Sequence, residues 1–162
     1  MPRWTVQDRN GNEMTNSQTV HQPDWLIEQE IMIGGQTILY SYDKEGDILE
    51  IFFQKGQGGV GIDLTENIVL RYNRTTQEPL SLILISFSRL IQPTRFGPPS
   101  FRLTALANLP SEMQQTILNL LHSPPLNHFL KVSGLFLMPG DQLLPIAYWV
   151  QPAELSFDPI FA

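Results

Sequence analysis

The sequence predicts an α+β domain: a small antiparallel β-meander sheet packed by one or two helices, followed by an irregular, proline-rich carboxyl-terminal region. Three observations predict it. Short β-branched and aromatic segments between residues 37 and 87 alternate with tight-turn signals. One apolar set at helical spacing, Leu109, Met113, Ile117, Leu120 and Leu121, comes after them. Beyond it, Gly134, Pro139, Gly140, Pro145, Pro152 and Pro159 break the tail into short pieces.

The elements follow in order. Trp4 and Val6 alternate before Asn10-Gly11, so the polar residues 1–36 are expected as an arm or short hairpin, with one helical turn over 24–30. Residues 37–42 form the first strand, Lys44-Glu45-Gly46 the turn, and 48–53 the second strand with Leu49, Ile51 and Phe53 on one face. Residues 54–61 are a glycine-rich connection. The third strand, 67–72, groups Ile68, Leu70 and Tyr72, and the fourth, 80–87, is apolar on both faces, which predicts a central strand covered on both sides. Short connections throughout imply antiparallel pairing. Residues 88–92 start a short helix that Pro93 stops, 109–121 form the main helix, and 126–132 a second, shorter one. No internal repeat is read. The organisation is an arm (1–36), a sheet (37–91) and an extension (92–162) packing on that sheet as one compact domain.

Length and composition narrow the function classes. At 162 residues with 42% hydrophobic and 16% charged residues, the chain builds a core without a staple. It has no cysteine, which excludes disulfides and thiolate chemistry. No stretch reads as a membrane span or a signal peptide, so a cytoplasmic, soluble protein is expected. The net charge of −6 argues against direct nucleic-acid binding and against a membrane partner. Charge is also uneven. Residues 67–102 hold five arginines against Glu78 alone, whereas 103–162 hold only Glu112, Lys131, Asp141, Glu154 and Asp158. A segment so poor in charge is wrapped into the core or covered in part by another chain, or else prolines and neutral Gln, Asn and Ser side chains do the solvating.

No catalytic constellation is legible. Gly56-Gln57-Gly58-Gly59-Val60-Gly61 matches a dinucleotide fingerprint in letters, but acids and then a strand follow it where a helix amino terminus must stand. Asp43, Glu45, Asp47 and Glu50 miss the calcium-loop spacing and are read as turn caps. His21, His122 and His128 have no partner at a diagnostic spacing. No catalytic, cofactor-binding or metal residue is therefore named, and no cofactor is expected. Two sets remain as contact candidates. Arg71, Arg74, Arg89, Arg95 and Arg102 would suit a carboxylate-rich partner or an anion if they form one patch; ion pairing with upstream acids is their alternative use. Leu135, Phe136, Leu143, Leu144, Tyr148, Trp149, Phe157 and Phe161 would form an apolar interface.

The run Tyr42-Asp43-Lys44-Glu45-Gly46-Asp47-Ile48-Leu49-Glu50-Ile51-Phe52-Phe53, with the strand pair at 67–74 and 80–85, resembles the bacterial domain-of-unknown-function family numbered 2283, whose motif is Y-D-x-x-x-D-x-L-x-I-x-F. The resemblance spans residues 37–91, and 109–131 resembles an extension of longer, cyanobacterial-type members. Where the family's turns are acidic, this chain has Arg71, Asn73 and Arg74. The family carries no catalytic residues to transfer. Its short members look like antitoxin-like partners of small toxin-like proteins, so the resemblance implies a non-enzymatic protein-interaction role, with a protein partner or a second copy of the chain. The other function considered is a small-molecule or anion binder, with hydrolytic activity in one version, using the segment 71–102.

Overall fold

Gly34 and Gly35, with φ of 57° and 80°, make a two-residue turn that L-residues with a Cβ rarely adopt. This turn joins β3 (Leu26–Ile33) to β4 (Gln36–Asp43), which pair along their full length from Leu26↔Asp43 to Ile33↔Gln36. The computed structural model describes residues 6–7, 13–14, 22–54, 58–135 and 144–156. Before β3, a short hairpin is formed by β1 (Val6–Gln7) and β2 (Glu13–Met14). The helical turn expected over 24–30 is instead strand: Ile27, Gln29, Ile31 and Ile33 alternate with Leu26, Glu28, Glu30 and Met32, a period of two that suits a half-buried sheet surface. The sheet therefore starts well before residue 37.

The expected strands are present as β4, β5 (Ile48–Phe52), β7 (Ile68–Asn73) and β8 (Glu78–Ile85). The glycine-rich connection gives way to a further strand, β6 (Val60–Thr65). The strand order is β3-β4-β5-β8-β7-β6, all neighbours antiparallel. The α+β class and its antiparallel meander hold, but the sheet consists of two three-stranded meanders, β3-β4-β5 and β6-β7-β8, joined where β5 meets β8. The crossing segment passes so close to β7–β8 that a Cβ on Gly59, whose φ is +102°, would lie 2.4 Å from Leu80 Cδ1 and 3.1 Å from the Tyr72 carbonyl.

A repeat that was not legible in the sequence appears in the turns. Asp43 Oδ1 accepts the amides of Glu45 and Gly46, both at 2.9 Å, and Asn73 Oδ1 accepts those of Thr75 and Thr76 at 2.9 and 3.2 Å. Four residues after each cap the backbone turns left-handed, at Asp47 (φ 53°) and Gln77 (φ 56°). Leu80 is an extra, bulged residue, since Arg71 pairs Ser81 while Tyr72 pairs Pro79. The two meanders are thus related by an approximate two-fold through the Ile51–Leu82 pair.

One face of this sheet is the core. Tyr40, Tyr42, Leu49, Ile51, Ile68, Leu70, Leu82 and Leu84 are all buried on it. It is covered by α1 (Phe87–Leu90), a 3-10 turn (Thr104–Asn108), α2 (Ser111–Leu121) and a small sheet of order β10-β11-β9, from β9 (Ser100–Arg102), β10 (Leu130–Leu135) and β11 (Leu144–Trp149). Aromatic rings tie the layers in sequence: Tyr42 to Phe87 (6.0 Å between centroids), Phe87 to Trp149 (5.2 Å), Trp149 to Phe129 (5.9 Å) and Phe129 to Phe53 (5.9 Å).

The main helix stands within a residue or two of its expected bounds. The second expected helix does not: only a 3-10 turn over Leu126–His128 precedes strand β10, because the chain pairs with β11 from Leu130↔Trp149 onward. The fourth strand is central, but its expected cover on both sides is not observed among the described residues. Ser81 is buried, whereas Ile83 and Ile85 on the same face are half-exposed.

Phe53→Ala is expected to cost about 3–5 kcal/mol, since Phe53 is buried against Phe129. Glu50→Ala on the opposite face is expected to cost about 1 kcal/mol, through the Ser81 hydroxyl that donates to it. Urea denaturation of both variants checks the register; equal costs would contradict it.

Candidate protein-interaction face

The sheet register sorts the strand residues facing away from the core into rows. One row runs Glu28, Ser41, Glu50, Ile83, Val69, Asp63 from β3 to β6, and the next runs Glu30, Leu39, Phe52, Ser81, Arg71, Gly61. Leu39, Phe52, Val69, Ile83, Ile48 and Ile85 on this face are half-exposed. Alternation places them there as a direct consequence of burying their neighbours in the core. The result is an apolar centre with acidic margins, on the face opposite the core that the second layer completes. Two of the three large hydrophobic residues that stand exposed among the described residues, Trp25 (42%) and Met32 (64%), lie at β3.

A polar link crosses this face. Ser81 Oγ donates to Glu50 Oε1 at 3.0 Å, and Arg71 Nη1 lies 3.9 Å from the same oxygen. Arg71 also reaches the Gly58 carbonyl at 3.4 Å, so its guanidinium fastens the start of β6 to the centre of the sheet. Half-exposed, the pair adds little to stability, on the order of 0–1 kcal/mol. Its effect is to place an opposed pair of charges in the middle of an apolar surface.

The arginines do not form the single patch that the sequence suggested. Arg74 lies in the β7–β8 turn and Arg89 in α1, at opposite ends of β8, about 25 Å apart for a strand of that length. Arg102 is on the small sheet, and Arg95 lies with its guanidinium 4.7 Å from the exposed Phe96 ring. Arg89 does line an open pocket of about 290 Å³ with Asn67, Ser86 and Leu90. The Asn67 amide is already engaged there, donating to the Ile85 carbonyl at 3.2 Å.

One member of the apolar interface expected in the carboxyl-terminal third belongs to the core instead. Trp149 is a core residue, 8% exposed and held between Phe87 and Phe129. Leu144 and Tyr148 are half-buried on β11. Leu135 ends β10, and Phe136, Leu143, Phe157 and Phe161 lie outside the described residues, as does His21. Leu103, Leu106, Ile117, Leu121, Leu126, Phe129, Leu130 and Leu155 are all buried within the chain itself. These described residues are wrapped into the core. His122 is exposed at the end of α2, its Nδ1 2.8 Å from the Leu118 carbonyl, and His128 is half-buried beside Gly34.

The acidic turn is structural. Tyr42 Oη donates to Asp47 Oδ1 at 2.7 Å; the Ser88 amide donates to the same oxygen at 2.9 Å and the Ser88 hydroxyl to Oδ2 at 2.6 Å. Burial pushes the Asp47 carboxyl pKa up, but these three donors outweigh it and the net pKa lies below the ordinary 3.8. The Tyr42 hydroxyl is shifted upward, first by burial and then by Asp47, so it stays a neutral donor. Among the described residues no three His, Asp or Glu side chains are grouped to hold a metal ion, and no helix is long and apolar enough to cross a membrane.

No protein-family model, curated protein or solved structure matches the chain. The outer surface at β3 escaped the sequence reading because its strand was taken for a helical turn. The signal that finds it is the alternation of Glu28, Glu30 and Met32 with Ile27, Gln29 and Ile31 before Gly34-Gly35.

Because the folded pKa of Asp47 is lowered, its contribution is complete above the ordinary carboxylate value and is lost as pH falls through the folded one. Asp47→Asn, which tolerates the left-handed backbone, is expected to cost about 1–2 kcal/mol at neutral pH. Urea denaturation at neutral and acidic pH should show the two proteins converging in acid; a constant difference would contradict the assignment.

Proposed function

We propose that this chain is a non-enzymatic protein-interaction protein that presents the outer face of its six-stranded sheet to another protein. One observation carries the reading: half-exposed apolar side chains in two neighbouring rows, Leu39 and Phe52 in one and Ile83 and Val69 in the next, on a sheet whose other face is fully used by the core. A sheet face of this kind suits a protein surface, with an apolar centre and a polar rim. The Tyr42–Phe53 motif supports an antitoxin-like version, in which the partner is a small protein encoded beside this one. The resemblance to family 2283 is part of this proposal, as is a cytoplasmic setting. Here the partner-binding residues are those of the outer face, with Leu144 and Tyr148 retained as secondary contacts.

The anion-binding alternative rests on Arg89 and its pocket alone, since the topology separates the other arginines. A thermal-shift screen with nucleotides and organic acids tests it. A ligand at a hundred times its dissociation constant would add about 2.7 kcal/mol of stability.

Affinity purification from the native host, with wild-type chain and with Phe52→Arg, tests the principal reading. The expected result is a partner retained by the wild type and lost by a variant whose circular dichroism is unchanged. Recovery of the wild-type chain alone, or equal recovery by both, would overturn it.

A further inference from the structure

The two edges of the six-stranded sheet occupy equivalent places in its two meanders but are finished differently. β6 carries a bulge between Asp63 and Thr65 and packs against the 3-10 turn at Thr104–Asn108. Both devices stop a further strand from adding. β3 has neither. It runs eight residues in unbroken register with β4, and no described strand pairs its other edge. In an antiparallel edge strand alternate amides and carbonyls point away from the sheet. At the start of β3 those of Leu26 are taken, its amide by the Pro23 carbonyl at 3.0 Å and its carbonyl by the Gln22 side-chain amide at 2.9 Å, while those of Glu28, Glu30 and Met32 face outward with no partner strand among the described residues.

The side chains along this edge specify what fits. Glu28 and Glu30 stand exposed on the outer face, and Ile27 and Ile31 lie half-buried at the margin of the core. A second copy pairing antiparallel about Gln29 would set Glu28 opposite Glu30 twice over, a like-charge arrangement that opposes association. A strand with lysine or arginine on the outer face and β-branched apolar residues on the inner face meets no such obstacle. Its cations would lie opposite the two glutamates, and its apolar side chains would extend the core past Ile27 and Ile31.

We propose that β3 is a strand-addition site for an extended basic segment of a partner protein, alternating Lys or Arg with Val or Ile. The inference rests on the protein-interaction reading and names the partner's chemistry within it. The acids keep copies of this chain apart while admitting a segment of opposite charge.

Two synthetic peptides the length of β3 test this on the full chain, one alternating Lys with Val and one alternating Glu with Val, followed by fluorescence anisotropy and amide hydrogen exchange. The Lys peptide is expected to bind, to weaken as salt is raised, and to slow exchange at alternate β3 amides that are fast in the free chain. Glu28→Gln with Glu30→Gln is expected to weaken it about tenfold. Glu28→Lys with Glu30→Lys is expected to switch the preference to the Glu peptide, which a misfolded variant would not do. Equal binding of both peptides, or β3 amides already protected along both edges in the free chain, would overturn the proposal. If the peptides fail while Phe52→Arg still abolishes capture of a native partner, strand addition is wrong and the outer-face reading stands. If both fail, the interaction reading goes with it.

Discussion

The pairing of β5 with β8 is the constraint on which the rest of the structure depends. Each meander alone is a three-stranded sheet with a narrow apolar strip. Joined in the observed register, they form one row across the core face from Tyr40 through Ile51, Leu82 and Leu70 to Ile62, all buried. Burying such side chains stabilises by roughly 1.5–3 kcal/mol each relative to leaving them exposed. A slip of one residue would turn Ile51 and Leu82 outward and carry Glu50 and Ser81 into the core. Register is therefore fixed by the cost of that exchange. The composition of the outer face follows from it.

The second layer is attached at one corner of that sheet. Asp47 lies in the β4–β5 turn, and its backbone carbonyl accepts the Phe87 amide at 3.0 Å while its carboxylate holds Ser88. Two amides at the start of α1 thereby find partners outside the helix, where Ser86 makes no side-chain cap. Phe87 is thus held where its ring meets both Tyr42 and Trp149. An acidic turn that reads in sequence as a set of turn caps is also a clamp between sheet and helix. Its donors, an amide and two hydroxyls, satisfy the carboxylate without a cation.

What the sequence made legible depended on whether local pattern and tertiary demand agreed. The strands at Ile48–Phe52 and Ile68–Asn73 and the helix at Ser111–Leu121 combine clear periodicity with nearby turn residues, and they stand as read. Leu126–Leu135 failed because its early residues suit a helix while its pairing partner, β11, lies beyond an intervening loop. The repeat was hidden because Asp43 and Asn73 perform the same capping with different side chains, and because Leu80 shifts the spacing by one. The arginines misled for a related reason. Neighbours in sequence on a long strand and its turns end up at opposite ends of the sheet, so a charge run in β structure says little about a patch.

The charge-poor carboxyl-terminal third admits burial within the chain or cover by another, and among its described residues Leu103, Leu106, Ile117, Leu121, Leu126, Phe129, Leu130, Ala147, Trp149 and Leu155 are buried in the core. Helix α2 and strands β10 and β11 supply the lid of the core, so their apolar residues are spent inside the molecule. Further apolar surface lies on the opposite face of the six-stranded sheet, where Leu39, Phe52, Ile83 and Val69 are half-exposed among the described residues. A sheet can leave one face in water when its outward residues are polar. Here the edges meet that condition at Glu28, Glu30 and Asp63, though not at the exposed Met32, while the centre, with Leu39, Phe52, Ile83 and Val69, does not. On the proposed interaction reading a partner surface would complete the sheet's second side, and the acidic edge at β3 would favour a basic one.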